Sequence, residues 1–421
     1  MSKNHVWHPY TKFSATEKQP LPMITGGDGI YLIDDQGNRF IDAIASWWCI
    51  TLGHNHPRIV KAIQEQAGKL QHSILGNLNH PWADELARRL AESMPTPDRH
   101  VMFASDGSCA VDASLKMAAQ YFYNTGIPGK TKFLTLEHDY HGDTIGAVSV
   151  GYVPDFHKPF GGIIPKEFMA PLPDYESGDG FAATQKIIDE HADEIAAVIL
   201  EPLCQGSAGM RMYSPQYLKD IAALCKERNI LLIIDEIAMG FGRTGEYWTF
   251  NHAGIDPDIV CVGKGITSGY LPISAAVCKD EIYKTFTDAG PEDHTFYHGH
   301  TFCGNPIAAA TALEVMDIYD EMDIAGRARR LGAQMEQAFK RMVDHPAVKE
   351  LRHLGLIGVV ELNPCERTKE RAVAIRDDLR DQGILIRPLS NIFYLMPPFI
   401  ITEQELADLC EAFLSTIERH A

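Results

Sequence analysis

The stretch Asp258-Ile259-Val260-Cys261-Val262-Gly263-Lys264-Gly265-Ile266-Thr267-Ser268-Gly269 decides how this chain is read. A short, β-branched apolar run ends in glycine, lysine and a second glycine. A run of this kind, bounded by turn residues, reads as a buried strand. A lysine at the end of a buried strand is costly to charge, because desolvation disfavours the ammonium and lowers its pKa. The neutral amine is then a nucleophile that can form a Schiff base with a carbonyl. The alternative is a solvated turn lysine. What else the chain brings to its strand ends separates the two.

Working outward, the middle of the chain alternates strand and helix signals. Residues 101–104, 132–136, 195–200 and 230–234 are apolar strand candidates. Residues 108–123 read as a helix, with Val111, Leu115, Ala118, Ala119 and Phe122 at helical spacing. Ser214 and Pro215 open another helix as N-cap and first-turn residue. The fully apolar strand at 230–234 predicts a mostly parallel sheet covered on both faces. The alternation implies an α/β layered domain, assigned to residues 51–310. Helical stretches at 324–343 and 369–382 flank short strands at 357–362 and 392–396. These suggest a smaller α+β domain of residues 311–421, joined by hairpin strands from residues 1–50.

With 421 residues, the chain is long enough for two domains and a large core. Its formal net charge of −18 argues against nucleic acid as a partner, since phosphate-backbone binding needs a basic face. No segment approaches the roughly 20 apolar residues of a membrane span. The opening residues, 1–10, lack the apolar core of a signal peptide. Nine scattered cysteines, with no CxxC pair, fit a reducing cytoplasm.

Ligands on open α/β sheets bind beyond the carboxyl ends of the strands. Asp235 stands there, at the end of a strand too apolar to hold an unpaired carboxylate. A salt bridge or helix cap would also explain it. Gly107-Ser108 lies between a strand and a helix start, where backbone amides can bind phosphate. An ordinary N-cap is the alternative. Tyr140-His141-Gly142-Asp143-Thr144 follows a strand as a loop or a plain turn. Together these groups suggest pyridoxal 5′-phosphate. Lysine would hold its aldehyde and aspartate would keep its pyridine nitrogen protonated. The helix start would anchor the phosphate, and the aromatic would stack on the ring.

The run Asp235-Glu236-Ile237-Ala238-Met239-Gly240-Phe241-Gly242-Arg243-Thr244-Gly245, followed by Gly263-Lys264, resembles the signature of the class III (ω) aminotransferases. The resemblance extends from Trp7 to about Pro398. It implies the pyridoxal phosphate-dependent transferase fold of type I, with a large mostly parallel-sheet domain and a smaller α+β domain. Trp7-His8-Pro9-Tyr10, Ser46-Trp47-Trp48, the Tyr140–Thr144 loop and Tyr394-Leu395-Met396-Pro397-Pro398 are similar to the biotin-biosynthesis branch.

That resemblance implies a residue role at each matching position. Lys264 would carry the proton between the substrate Cα and the cofactor. Asp235 would bind the pyridine nitrogen and Tyr140 would stack on the ring. Gly107 and Ser108 would hold the phosphate. Gly299, His300 and Thr301 would lie near it, with Thr301 reaching over from the second subunit of a homodimer. Tyr10, Trp47, Trp48 and Tyr394 would border the substrate. Arg387 would pair with the far carboxylate of 8-amino-7-oxononanoate, which a planar guanidinium suits.

For Trp47 and Trp48, in a strand-like segment, the alternative is plain core packing. For Arg387 it is a surface ion pair. His294, His298 and His300 have loosely metal-like spacing but no supporting fourth ligand, so they are read as loop residues and no metal is assigned.

The implied reaction is transamination of 8-amino-7-oxononanoate to 7,8-diaminononanoate, with S-adenosylmethionine as the favoured donor. Family members that use ornithine or γ-aminobutyrate carry an arginine where this chain has Tyr394, which argues against a glutamate donor. Gly269-Tyr270-Leu271-Pro272-Ile273 and Gly299-His300-Thr301 look more like relatives that take lysine. An ω-amine:pyruvate transaminase is a further alternative. A nicotinamide dehydrogenase lacks its GxGxxG here. A non-catalytic relative is opposed by an intact Lys264 and Asp235. Two departures from the family, Ser105-Asp106 in reversed order and Asp112 for glutamate, bear on the phosphate loop.

Overall fold

The computed structural model describes residues 5–12, 21–173 and 180–421. Residues 1–4 of the opening stretch therefore lie outside the described residues. Three N-terminal strands come first, β1 (Ile24–Asp28), β2 (Tyr31–Asp34) and β3 (Arg39–Asp42). The middle of the chain supplies β4 (Arg99–Ala104), β5 (Lys132–Leu136), β6 (Phe168–Ala170) and β7 (Ile195–Leu200). A short ribbon, β8 (Cys204–Gln205) and β9 (Arg211–Met212), precedes β10 (Leu231–Asp235), β11 (Ile259–Val262) and β12 (Ser274–Lys279). The C-terminal part holds β13 (Val348–His353), β14 (Gly358–Leu362), β15 (Ile384–Leu385) and β16 (Ile392–Leu395).

The central sheet has seven strands in the order β4-β12-β11-β10-β7-β5-β6. Its pairings are parallel except around β12, which runs antiparallel to both β11 and β4. The mostly parallel expectation therefore holds, with one reversed strand inserted. Alternate residues of one strand enter two different cores: Leu232 and Ile234 on one face, Leu231 and Ile233 on the other. This explains the unbroken apolar run, since both faces are buried. The helix Gly107–Asn124 covers one face through Ala110, Val111, Leu115 and Phe122. The helices Pro215–Glu227 and Pro306–Met322 pack into the other core.

The N-terminal hairpins and the C-terminal segment share a sheet, β1-β2-β3-β15, in which β15 pairs parallel with β3. Ile384 opposes Ile41, and Leu385 opposes Asp42. A second small sheet, β13-β14-β16, is antiparallel. The helical stretch expected at 324–343 is the helix Ile324–Phe339 followed by a tighter turn, Lys340–Met342. Among the described residues no helix is long and apolar enough to cross a membrane, and all nine cysteines are free.

The segment around Trp47 and Trp48 is not strand-like. Ala45, Ser46, Trp47 and Trp48 all have positive φ, at 49°, 43°, 70° and 71°. Each L-residue in the left-handed region costs on the order of 1–2 kcal/mol. None of the four is glycine, so the sequence carries no marker of this turn.

Candidate active site

The carboxyl ends of β4, β5, β7, β10 and β11 meet at one edge of the sheet, and the site is built there. Lys264 comes one residue after β11, beyond Gly263, and has φ +41°, a strained value for a non-glycine residue. Its turn is fixed from outside: the Tyr319 hydroxyl donates to the Gly265 carbonyl (2.6 Å). The Lys264 Nζ lies 4.8 Å from the Trp48 ring centroid. Burial lowers its pKa below the usual lysine value, opposed by the charges of Asp235 and Glu201. Lys264 is half-buried on the cavity wall, and the shift runs in the direction expected from the sequence.

Two cavities join at this lysine. The first, about 500 Å³, is bordered by Gly107, Ser108, Tyr140, Asp235, Ile237 and Lys264. The second, about 430 Å³, is bordered by Tyr10, Trp47, Asp143, Phe156, Ser207 and Arg387. Trp48, Cys49, Tyr140 and Lys264 belong to both walls.

Asp235 ends β10 and is 5% exposed. Its Oδ1 accepts the Ile237 N–H (3.0 Å), and its Oδ2 lies 2.7 Å from His141 Nδ1. Behind the imidazole, Asp139 Oδ2 is 3.8 Å from Nε2, an ion-pair contact longer than a hydrogen bond. Asp139 is held in turn by the Thr135 hydroxyl (3.0 Å) and Gln205 Nε2 (2.8 Å). Burial by itself would depress the His141 pKa, but Asp139 and Asp235 raise it to about 10. The site thus contains an imidazolium set between two carboxylates.

Sequence reasoning assigned no role to His141, Asp139 or Glu201. Their one signal was place: all follow the ends of β5 or β7. Glu201 accepts the N–H groups of Tyr140 (2.8 Å) and Gly206 (3.0 Å). Burial, followed by the charge of Asp139, pushes its carboxyl above the ordinary range.

Gly107 and Ser108 open the helix Gly107–Asn124 on the wall of the first cavity. A Cβ on Gly107 would stand 3.0 Å from two carbons of Ile237, so any side chain there would press on Ile237 beside the helix start. Gly142 has φ +119°, and a Cβ there would meet the Ser108 hydroxyl at 2.0 Å. The Ser108 Oγ accepts the Asp143 N–H (3.2 Å), locking the aromatic loop onto the helix start. The reversed Ser105-Asp106 order has a local use. Asp106 caps the helix by accepting the Cys109 N–H (3.1 Å), while the Ser105 hydroxyl sits 3.2 Å from His300 Nδ1.

Arg387 is not a surface ion pair. Its guanidinium stacks 4.2 Å over the Trp47 ring and 5.7 Å from that of Tyr10, on the wall of the second cavity. The Tyr10 and Tyr140 hydroxyls both donate to Asp143, at 2.5 and 2.8 Å. Trp48 is 5% exposed and Trp47 39%, so only Trp47 presents substantial surface. Tyr394 stands behind this wall. It is 1% exposed, lies outside both cavity linings, and accepts the Trp48 Nε1–H (3.1 Å).

Gly299, His300 and Thr301 are absent from both linings within this chain. His294, His298 and His300 turn to separate partners, Glu292, Lys116 and Ser105.

A primary amine, a buried strand-end carboxylate, an aromatic wall and a bare helix start, all on one cavity, fit pyridoxal 5′-phosphate. The chain belongs to the class III aminotransferases: the family model, aminotransferase class-III, matches residues 13–417. These are pyridoxal phosphate enzymes, and the fold is theirs.

The chain is 35% identical to the adenosylmethionine-8-amino-7-oxononanoate aminotransferase of Geobacter sulfurreducens, over 99% of this chain and 96% of that protein. It is 36% identical to the enzyme of the same name from Staphylococcus aureus, over 98% and 95%. The crystal structure of the Methanocaldococcus jannaschii enzyme of that name superposes with a TM-score of 0.94 at 35% identity, covering 99% of this chain and 97% of that one. An amine transaminase from an uncultivated Pseudomonas species, solved with pyridoxal phosphate bound, superposes with a TM-score of 0.95 at 31% identity over the whole of both chains.

Proposed function

We propose that this chain transfers an amino group to the ketone of 8-amino-7-oxononanoate, giving 7,8-diaminononanoate in biotin biosynthesis, with S-adenosylmethionine as donor. The observation that carries this reading is Arg387, stacked on Trp47 at the wall of the second cavity, with Lys264 where that cavity meets the first. A long aliphatic keto acid fits this layout. Its carboxylate pairs with the guanidinium, its chain lies against aromatic rings, and its ketone reaches the lysine.

Pyridoxal phosphate, when bound, supplies an aldehyde that condenses with amines and a ring that accepts electrons from the adjacent carbon. The chain supplies the rest. Lys264 Nζ, whose pKa burial lowers, would carry the proton between the substrate carbon that bears nitrogen and the cofactor's carbonyl carbon. Asp235 would hold the ring nitrogen, while His141 fixes the carboxylate through its Oδ2. Tyr140, fixed through its backbone by Glu201, would stack on the ring. Gly107 and Ser108 offer helix-start N–H groups to the phosphate.

Tyr394 bears on the donor. A buried phenol there leaves no cation for the second carboxylate of a glutamate-type donor, a penalty of roughly 2 kcal/mol or more. Lysine as donor is the alternative suggested by Gly299-His300-Thr301. The likeness to the Pseudomonas amine transaminase favours a second reading, an ω-amine:pyruvate transaminase.

The same proposal includes a cytoplasmic homodimer in which Thr301 serves the partner's phosphate site and His300 lies near the phosphate. It also includes a large domain of residues 51–310 and a small domain of residues 1–50 and 311–421. The test is product formation from 8-amino-7-oxononanoate with S-adenosylmethionine, lysine, or an amine in separate reactions. The proposal expects 7,8-diaminononanoate with S-adenosylmethionine. Turnover of amine and pyruvate alone would overturn it.

A further inference from the structure

Asp42 closes β3 and is 1% exposed, outside both cavity linings. Its Oδ1 accepts the Ser46 N–H (2.8 Å), and its Oδ2 accepts the Ser46 hydroxyl (2.6 Å). His54 Nε2 stands 3.0 Å from the same Oδ2. His54 is itself anchored, since its N–H donates to the Gly29 carbonyl (2.7 Å) and its carbonyl accepts the Gly29 N–H (3.1 Å). It also packs on Gly27, where a Cβ would come within 2.6 Å of the His54 Cβ.

Ser46 is the second of the four consecutive left-handed residues, Ala45 to Trp48. A run of non-glycine residues at positive φ persists only where its surroundings over-determine it. Asp42 fastens this run at both the amide and the hydroxyl of one residue. The two residues that follow carry the rings of the site. Trp47 lies under Arg387, and Trp48 lies beside Lys264 Nζ and bonds Tyr394. Asp42 is also paired in the sheet with Leu385, two residues before Arg387. One carboxylate thus relates the turn to the strand that delivers the guanidinium.

We propose that Asp42 and His54 are positioning residues of this site: through Ser46 they hold Trp47 and Trp48 in the left-handed turn that sets Arg387 and Lys264 at their working places. The role of Arg387 rests on the function proposed above. The turn itself does not, because Trp47 reports on it in the absence of substrate.

The test uses the full-length holoenzyme with His54→Ala, His54→Gln and Asp42→Asn, and two readouts. The first is the KM against kcat split for 8-amino-7-oxononanoate. The second is acrylamide quenching of Trp47 emission without substrate, taken as the difference from Trp47→Phe in each background. His54→Ala is expected to raise KM about tenfold, with kcat within about threefold, and to increase Trp47 quenching. His54→Gln, which keeps a donor to Asp42, is expected to restore both. KM and Trp47 quenching that stay at wild-type values in His54→Ala, even with a lowered melting temperature, would overturn the proposal. If His54→Ala does not fold, Asp42→Asn decides on the same two readouts. A wild-type protein inactive on the keto acid contradicts the proposed function, and the quenching comparison still decides the clamp.

Discussion

His141 Nδ1 lies 2.7 Å from Asp235 Oδ2, and both side chains are closed to solvent. Asp139 approaches the opposite ring nitrogen. In the proposed function this chain of charges would give the pyridine nitrogen a carboxylate of fixed orientation. A hydrogen-bonded imidazolium fixes Asp235 far better than solvent could.

The His141 pKa is raised to about 10, above an unfolded value of about 6.5. Its stabilising effect is therefore complete below about pH 6.5 and is lost as pH rises through the folded value. His141→Asn is expected to destabilise the protein by roughly 3–5 kcal/mol near neutral pH, since it strands two buried carboxylates. The gap in melting temperature between wild type and variant should narrow toward pH 10. A gap that widens with pH would contradict this.

Glu201 is raised by burial. The folded protein therefore keeps a proton that the unfolded chain releases above about pH 4.3, and stability falls with pH through that window. Glu201→Gln is expected to be nearly neutral in melting temperature below that window and to flatten the decline above it. Melting curves across pH 4 to 9 check the slope. An unchanged slope would count against the raised carboxyl.

Arg387→Met removes the guanidinium stacked on Trp47. The loss of a charge-paired anchor is expected to weaken keto-acid binding by about 2–5 kcal/mol, which is about thirtyfold or more in KM. The KM of the donor should stay within about threefold. Equal effects on both substrates would argue that Arg387 shapes the cavity rather than holding a carboxylate.

Gly107→Val places methyl groups where a single Cβ is already 3.0 Å from Ile237. The helix start should then lose contact with the phosphate, weakening cofactor affinity by about tenfold or more. A titration of the apoprotein with pyridoxal phosphate, followed by absorbance, measures this. Unaltered affinity would move the phosphate site elsewhere.

Much of this was legible before the structure. The central strands and the helix after β4 are apolar runs or periodic stripes bounded by turn residues, and those patterns follow directly from burial. Lys264, Asp235, Gly107 and Tyr140 stand out in the sequence because each ends or follows such a run. The rest depended on tertiary contacts. The reversal of β12 leaves no trace in a fully buried strand, since parallel and antiparallel neighbours want the same residues. The left-handed turn at Trp47 has no glycine to announce it, because Asp42 and Ser46 hold it from outside. Tyr394 belongs to a family motif, yet it acts from behind Trp48 rather than at the cavity.

The central claim is that Lys264 is the residue that bonds the cofactor. The direct measurement is reduction of the pyridoxal phosphate-loaded protein with tritiated borohydride, followed by proteolysis and mapping of the labelled peptide. The account predicts a coloured protein that is bleached by reduction, with label on the peptide containing Lys264. A protein that takes up no colour with pyridoxal phosphate, or label confined to another lysine, would contradict it.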